Sequence, residues 1–290
     1  MHGEMKLYEA RRERNPAFPF YMYKLECREG ASVIYAHWHE EVEILYAACS
    51  GSITVEGTAA DFAQNDIIFV NKGRLHHAGS ASKGLLYVLV FDYDCLEFRG
   101  GDFCQTNIIE RLKDGRLFFP LRISETDELH APVRDCLLEM VRLYSDGTPG
   151  RELKIKCCLY EIIFLLYSAG RLSAGGKAEP ACDGNQLSYV KAAIRYMEEN
   201  HPAQLTVDDI ARSVSISKYH FIKTFRQITG MTPIHYLRDL RIEKSVALLK
   251  AGHSITQTAY SCGFNNLSYY IRAFRQRHGV SPRAFQKQEG

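Results

Sequence analysis

The sequence predicts a multidomain α+β protein in which an antiparallel β domain is followed by helices and then by an all-α domain. Short β-branched runs separated by turns occupy the N-terminal third, as in "EVEILYAAC" and "DIIFVNKG", and this spacing predicts an antiparallel sandwich or small barrel. Apolar residues at helical spacing replace the alternating pattern after residue 126. The last hundred residues are predicted to be helical throughout.

Changes in composition suggest where the domains meet. We predict a β domain at 1–126, a helical region at 127–170, a linker at 171–186 and the all-α domain at 187–290. The stretch "GRLSAGGKAEPACDGNQ" lacks periodic apolar residues and is rich in Gly, Ala and Ser, which is typical of a flexible linker. The helical region shows two apolar stripes, one of Leu129, Val133, Cys136, Leu137, Met140, Val141 and Tyr144, the other of Leu153, Cys157, Tyr160, Phe164 and Tyr167.

Length and composition exclude several classes of protein. With 290 residues, 46% of them hydrophobic, the chain is long enough for two cores. No apolar run reaches membrane-spanning length, and the segment "MHGEMKLYEARRERN" is charged where a signal peptide is apolar. We therefore expect a cytoplasmic protein without a membrane partner. Nine cysteines without a Cys-x-x-Cys pair favour reduced, mostly buried thiols, with Cys157 and Cys158 filling a helix face.

The small net charge of +2 hides an asymmetry between the two parts of the chain. From residue 187 onward there are 15 Lys and Arg against 7 Asp and Glu, which gives +8. The remaining residues carry 21 against 27, which gives −6. A basic C-terminal part joined to an acidic one suggests that the C-terminal part meets a polyanion. An ordinary solvated surface is the alternative that charge alone leaves open.

The C-terminal part contains an internal repeat. "FRQITG" at 225–230 returns as "FRQRHG" at 274–279, an offset of 49, and the offset becomes 48 just upstream. Each copy predicts a short helix, a turn and a second helix. Thr206 with Asp209 resembles a capping box, Ser217 is the predicted N-cap of the next helix, and Gly230 ends it.

A connecting helix is predicted between the two copies, at residues 234–251. Its 18 residues span about 27 Å at roughly 1.5 Å per residue. A short helix, a tight turn and a second helix with outward basic residues form the helix-turn-helix arrangement. Two second helices held this far apart could enter successive major-groove segments of one DNA duplex.

Residues 205–285 resemble the DNA-binding domain of the AraC family of transcription regulators along its whole length. The resemblance is carried by "LTVDDIARSVSISKYHFIKTFRQITGMTPIHYLRDLRIEKSVALL" and "SITQTAYSCGFNNLSYYIRAFRQRHGVSPRAF". It implies a partner in double-stranded DNA and makes RNA polymerase a further candidate partner. It also implies base-facing roles for Tyr219, Ile222 and Lys223 in the first copy and for Leu267, Ser268, Ile271 and Arg272 in the second.

Helical spacing assigns these residues of the first copy to one side of its second helix. Tyr219, Lys223 and Arg226 lie opposite Phe221 and Phe225, which should anchor the helix to its core. By chemistry, an arginine can bind a guanine edge through two hydrogen bonds, and a lysine can reach a guanine or a phosphate. Arg272 and Lys223 are therefore the leading candidates for DNA contact. Ile222, Leu267 and Ile271 are equally consistent with packing in the core.

A second cluster of chemically active residues lies in the β domain. In "YAHWHEEVEILY", His37, His39 and Glu43 share parity, so an extended strand is predicted to point all three to one face. His76 follows a turn in "NKGRLHH". This set resembles the metal ligands of the cupin fold, a small β-barrel that AraC-family regulators often place before the DNA-binding domain. The cupin pattern has proline where this chain has Asn71.

The resemblance implies a cupin-like sensor that binds a small-molecule effector. Three imidazoles and one carboxylate would suit iron, manganese or zinc, although the same residues could instead line a ligand pocket or hydrogen-bond to one another. Aromatic neighbours, among them Trp38 and Tyr46, could stack on a sugar or an aromatic effector, or could belong to the core.

We therefore predict a ligand-responsive transcription regulator that is not an enzyme. By the same resemblance the helices before the linker pair two chains into a homodimer, with packing on the barrel alone as the alternative. The sequence leaves two other functions open: a metal-dependent cupin enzyme, such as an isomerase or dioxygenase, with an accessory helical domain, and an effector-free nucleoid-binding protein. It does not indicate the effector, the operator or the direction of regulation.

Overall fold

The computed structural model describes residues 17–98, 100–174 and 184–289. The chain separates into two compact units, one containing residues 17–174 and the other residues 184–289. Residues 175–183 of the predicted linker lie outside the described residues. The first unit extends to Ala174 and the second begins with a helix at Gly184, so ordered structure enters the predicted 171–186 linker from both sides.

The first unit contains two antiparallel sheets. Sheet one has the strand order β1-β8-β3-β6-β9 and sheet two the order β2-β7-β4-β5. The strands are β1 (Phe20–Cys27), β2 (Ser32–His37), β3 (Val42–Ala47), β4 (Gly51–Val55), β5 (Thr58–Phe62), β6 (Ile67–Val70), β7 (His76–Ser80), β8 (Gly84–Phe91) and β9 (Arg122–Ile123).

Alternation along β3 divides the core of this unit into two parts. Leu45 and Ala47 belong to one apolar cluster, which also contains Ile53 of sheet two. Ile44 and Tyr46 belong to the other, which includes side chains of the helices that follow the sheets. The central strands are buried on both faces, as expected for a sheet with a second sheet on one side and helices on the other.

The helices of the first unit follow β8 in the chain. They are a 3₁₀ turn (Tyr93–Leu96), a π-helical turn (Gln105–Ile109) that continues into α1 (Glu110–Lys113), and then, after β9, α2 (His130–Asp146) and α3 (Arg151–Ser168). Helix α2 buries the predicted residues Val133, Leu137 and Met140. Both long helices occur where the sequence predicts them.

The predicted apolar stripe of α3 does not form its core-facing side. Ile155, Leu159, Ile162 and Leu166 are buried instead, whereas the stripe members Leu153, Cys157, Phe164 and Tyr167 are exposed. Helix α3 is apolar over most of its circumference, so periodicity alone did not distinguish the side that packs from the side that does not. The prediction that Cys157 fills a buried helix face is therefore wrong.

The second unit consists of helices. These are α4 (Gly184–Asn200), α5 (Val207–Ser213), α6 (Lys218–Thr229), α7 (Pro233–Lys250), α8 (Ile255–Ser261), α9 (Leu267–His278) and α10 (Pro282–Glu289). Helices α5 and α6 form the first helix-turn-helix, α8 and α9 form the second, and α7 connects them. Among the described residues, none of the helices is both long and apolar enough to cross a membrane.

The ends of these helices confirm the predicted local signals. Thr206 and Asp209 form a reciprocal capping box at the start of α5, and Ser217 accepts a hydrogen bond from the His220 amide at the start of α6. Gly230 ends α6 in the left-handed conformation. Because each cap satisfies backbone groups that a helix end leaves unpaired, these signals can be read without tertiary information.

Candidate nucleic-acid interface and candidate sensor site

Helix α6 has one buried side and one exposed side. Phe221, Phe225 and Ile228 are almost completely buried, and the Phe225 ring lies edge-on to Tyr236 of α7 at 5.5 Å. The other side exposes the predicted residues Lys223 and Arg226. Tyr219 leaves 81% of its surface exposed, so its ring is accessible to a partner on the same side as the two cations. Ile222 is half-buried.

Helix α9 repeats this pattern at matching positions. Tyr270 and Phe274 are fully buried, while the predicted residues Ser268 and Arg272 are exposed. The Arg272 guanidinium lies 5.6 Å from the centre of the Tyr269 ring, and this cation–π contact favours an outward orientation of the side chain. The structure therefore exposes equivalent sides of both helices.

Two of the predicted base-facing residues of α9 contribute to the core. Leu267 and Ile271 are half-buried and pack against the apolar cluster around Phe274. Only part of each side chain is exposed, which limits these residues to methyl-type contacts with DNA.

Two candidate residues on α9 were not predicted from the sequence. A groove on its surface is lined by Ser268, Ile271, Arg272, Arg275, Gln276 and Gly279. Of these, Arg275 and Gln276 were not predicted. Arg275 is exposed and occupies the position 49 residues after Arg226. Since Arg226 was proposed for the first copy, the repeat itself contained the signal for Arg275.

The two helix-turn-helix motifs are braced against each other near the middle of α7. Arg241 donates hydrogen bonds from Nε to the His201 carbonyl at 2.8 Å and from a terminal nitrogen to the Ala203 carbonyl at 2.6 Å. Gly263, in the second turn, approaches the same loop so closely that an added Cβ would lie 2.5 Å from the His201 oxygen. Gln204 also donates to the Gly263 carbonyl at 3.1 Å. These contacts join the α4–α5 loop, α7 and the second motif.

The four predicted sensor residues come together in the β domain, but not on one strand. His37 ends β2 and Glu43 lies in β3, with His39 in the loop between them. The prediction of a single extended strand is therefore wrong, because the chain turns between the two histidines and the glutamate. His76 lies directly opposite His37 in the β2–β7 pairing. All four side chains are buried, and one ligand atom of each lies within 4.8 Å of those of the others.

Hydrogen bonds to the backbone orient the three imidazoles. Nδ1 of His37 lies 2.7 Å from the Tyr35 carbonyl, Nδ1 of His39 lies 3.1 Å from the Glu41 carbonyl, and Nδ1 of His76 lies 2.9 Å from the Arg74 carbonyl. A carbonyl only accepts, so each Nδ1 carries a proton. Nε2 of each ring is left to face the centre of the cluster, which is how proteins commonly orient histidine ligands of a metal.

Glu43 places negative charge in this centre. Its oxygens lie 3.2 Å from His39 Nε2 and 3.6 Å from His76 Nε2, and the side chain has almost no exposed surface. Burial alone would raise the pKa of Glu43, but the hydrogen bond with His39 and the nearby His76 ring hold it below its usual range. The cluster therefore contains a buried carboxylate that requires positive charge beside it, either as protons on the rings or as a metal cation.

The structure separates Tyr46 from these four residues. Tyr46 belongs to the cluster on the helix-facing side of sheet one, whereas Glu43 shares the parity of Leu45, which faces the second sheet. The three-residue spacing from Glu43 places Tyr46 on the opposite face of the strand. Trp38, between the two histidines in sequence, is half-buried.

Comparisons with known proteins agree with both units. The sequence profile of a helix-turn-helix domain matches residues 210–288. YdeC, an HTH-type transcriptional regulator of Bacillus subtilis, is 22% identical over 98% of this chain and 97% of its own length. The HTH-type transcriptional activator RhaS of Salmonella dublin is 24% identical over 85% of each chain. Among solved structures, apo ToxT from Vibrio cholerae covers 96% of this chain and all of its own, with 15% identity and a TM-score of 0.50, and so shares the two-domain fold.

Proposed function

We propose that this chain, an AraC-type DNA-binding transcription regulator and not an enzyme, reads a two-part DNA site with α6 and α9. The observation that carries the proposal is the repeated exposed side of the two helices. Lys223 and Arg272 occupy equivalent exposed positions, as do Arg226 and Arg275. Each helix exposes cations opposite its buried aromatic residues, and the unit that contains both helices is positively charged. Such a surface is suited to DNA phosphates and base edges.

The bracing of the two motifs supports a fixed spacing between the two half-sites. Helix α7 is 18 residues long, and Arg241 ties its middle to the loop before α5. If this rigid connection holds α6 and α9 about one helical turn of DNA apart, the centres of the two half-sites lie about 10 base pairs apart.

Selection from randomised DNA with the full chain tests this proposal. The expected product is a site with two informative blocks about 10 base pairs apart, with affinity that falls steeply as salt concentration rises. Binding that ignores sequence would instead support the nucleoid-binding alternative. A single informative block would contradict reading by both helices.

For the β domain, we propose a sensor function with the His37, His39, Glu43 and His76 cluster at its centre. The three Nε2 atoms and the carboxylate converge in a buried space where a divalent cation would supply the positive charge that Glu43 requires. Iron, manganese and zinc all accept imidazole and carboxylate ligands. Such an ion could itself be sensed, or it could leave coordination positions open for a small-molecule effector such as a sugar or an aromatic compound.

Metal analysis with a matched pair of variants tests the sensor site. The chain is purified without chelators and its metal content is measured, and the metal-free chain is then titrated with Zn²⁺, Mn²⁺ and Fe²⁺ by calorimetry. His39→Ala is expected to weaken binding at least tenfold, as loss of a ligand or its support does. His77→Ala is the control, because His77 neighbours His76 on the same strand but points to the other face.

The outcomes separate a metal site from a self-contained hydrogen-bonded cluster. If the wild-type chain binds none of the three ions, the metal is excluded. If His39→Ala and His77→Ala weaken binding equally, the cations bind elsewhere on the chain.

We also propose that α3 mediates a homodimer. Leu153, Cys157 and Phe164 recur at helical spacing on its exposed side, and a stable monomer rarely leaves large apolar residues of one helix side in water. Sedimentation of the wild-type chain and of Leu153→Arg with Phe164→Arg tests the proposal. The double variant is expected to be monomeric with an unchanged CD spectrum, whereas a monomeric wild-type chain would contradict the dimer.

A further inference from the structure

Two buried cysteines of the β domain lie in direct contact. Cys27 is the last residue of β1, and Cys49 follows the end of β3 by two residues. Their sulfur atoms are 2.9 Å apart. Only 4% of Cys27 and 1% of Cys49 is exposed. The pair is separated by 22 positions in the sequence.

The contact depends on a glycine, which has no side chain, in the strand that lies between the two cysteines. Strand β8 lies between β1 and β3 in sheet one, and Gly84 of β8 is paired directly with Cys27. An added Cβ at Gly84 would lie 3.0 Å from the Cys49 Cβ and 2.2 Å from the Ala48 carbonyl oxygen. The glycine therefore lets the Cys49 segment approach closely, and the two thiols meet at that end of the sheet.

We propose that Cys27 and Cys49 are a redox site that forms a reversible disulfide when a peroxide oxidises the β domain. A disulfide bond is about 2.05 Å long, so the sulfurs need to approach by less than about 1 Å. The product would join the end of β1 to the turn after β3 across β8. A thiol pair already in contact is the arrangement that exchanges reversibly between the two redox states.

The reaction balances with hydrogen peroxide as the oxidant. The Cys49 thiolate attacks one peroxide oxygen, the O–O bond breaks, and the released hydroxide takes up a proton to become water. The Cys27 sulfur then attacks the Cys49 sulfenic acid, loses its proton, and displaces the oxygen as a second water. Two thiols lose two electrons and two protons in total, and one peroxide becomes two waters.

The local electrostatics favour Cys49 as the attacking group. The hydrogen bond between the two sulfurs lowers the pKa of Cys49 and raises the pKa of Cys27. A more acidic thiol is a larger source of the thiolate nucleophile at neutral pH. Because both side chains are buried, a small oxidant such as hydrogen peroxide fits the site better than a bulky disulfide.

The thiol pair is distinct from the proposed sensor cluster. Glu43 lies near the start of β3 and Cys49 beyond its end, so the strand between them spans about 13 Å at roughly 3.3 Å per residue. Oxidation would therefore act on the β domain from the end opposite the histidines, and the proposal does not depend on DNA reading or metal binding.

Peptide mapping of the full chain tests the site. Cys104, Cys157 and Cys182 are replaced by serine to prevent disulfides between chains, and the protein is treated with hydrogen peroxide, denatured, alkylated and digested. The expected result is one cross-linked peptide pair that contains Cys27 and Cys49, is two hydrogen atoms lighter than the separate peptides, and separates on reduction by dithiothreitol. Cys95 is equally buried and should remain alkylatable.

Two further measurements make the result decisive. Wild-type protein treated in parallel reports the oxidant dose through its exposed Cys104, and Cys49→Ala should abolish the cross-link. The unfolding transition followed by the fluorescence of Trp38 should move to a higher temperature after oxidation, since a cross-link restricts the unfolded chain, and return on reduction. If Cys27 and Cys49 both remain alkylatable at a dose that fully oxidises Cys104, the proposal is wrong.

Discussion

The two helix-turn-helix motifs share an exposure pattern but are held in place differently. In the first turn the left-handed residue is Ser215, with φ of 58°, and in the second it is Gly263, with φ of 85°. Helix α9 is also tied to α7 by an Arg277–Glu243 ion pair at 3.0 Å. The comparison shows that the repeat preserves the side that faces outward, while the anchoring contacts differ between the copies.

The largest expected effect concerns the second turn. Gly263→Ala places a methyl group against the His201 carbonyl in a backbone conformation that disfavours side chains, and we expect a loss of about 2 to 4 kcal/mol in the free energy of unfolding. Urea unfolding followed by CD measures it. The fluorescence of Trp38, the single tryptophan, reports the β domain and should not move.

The matching change in the first turn should have the opposite sign. Ser215→Gly relieves the left-handed conformation of a residue with a Cβ and should stabilise the unit by up to about 1 kcal/mol. A loss of stability in Ser215→Gly, or no loss in Gly263→Ala, would show that the two turns are not distinguished by backbone strain.

The brace at Arg241 should control the spacing between half-sites. Arg241→Lys loses the paired donors that bind the two carbonyls, at a cost of about 2 to 3 kcal/mol in stability. Gel-shift titrations with sites lengthened by one or two base pairs should then show a smaller penalty than for the wild type. Arg238→Lys, on the same helix, is the control, and equal spacing preference in all three proteins would remove this role of Arg241.

Substitution of the equivalent reading residues tests whether the copies act separately. Arg272→Ala and Lys223→Ala should each weaken specific binding by about 1 to 3 kcal/mol and relax the preference at one base pair of their own half-site. The two losses should nearly add in the double variant. Arg283→Ala, on α10, is the control for lost charge. Loss of preference at the same base pair in both single variants would contradict the two-part site.

The smallest expected effect concerns the capping boxes, which are alike in the two copies. Thr206 with Asp209 begins α5, and Ser254 with Gln257 begins α8. Thr206→Ala and Ser254→Ala should each lower the free energy of unfolding by about 1 kcal/mol, measured by CD-monitored urea unfolding. Thr206→Ser and Ser254→Thr keep the hydroxyl and should cost little. Unequal losses would show that tertiary contacts, and not the caps, dominate one of the two motifs.

The features predicted correctly from sequence are those set by local chemistry. The cap at Ser217 and the helix end at Gly230 depend on neighbouring residues, so they can be predicted locally. The 49-residue repeat is visible directly in the order of residues. The predictions that failed depended on how elements pack. The alternation around His37, His39 and Glu43 suggested one strand, but the loop between β2 and β3 brings the residues together.

Apolar helices show the same limit of prediction from sequence. The sequence of α3 offers apolar residues on more than one side, and only the packed structure shows that Ile155 and Ile162 face the core while Leu153 and Phe164 do not. On α9, Leu267 and Ile271 occupy positions that were predicted to face DNA, and yet both side chains pack partly against the apolar core. Periodicity identifies an apolar stripe but does not identify its partner.

By itself, the sequence determined the two-part architecture, the double helix-turn-helix and the outward basic residues. Hydrophobic periodicity and capping chemistry act over a few neighbouring positions, and the repeat is visible in the order of residues alone. Only the tertiary structure decided that Nε2 of three histidines would converge on Glu43, that Arg241 would brace the two motifs, and that Cys27 would meet Cys49 across Gly84. Each of these contacts joins residues that the chain brings together by strand pairing or helix packing, and the order of strands in a sheet is not encoded in any short segment.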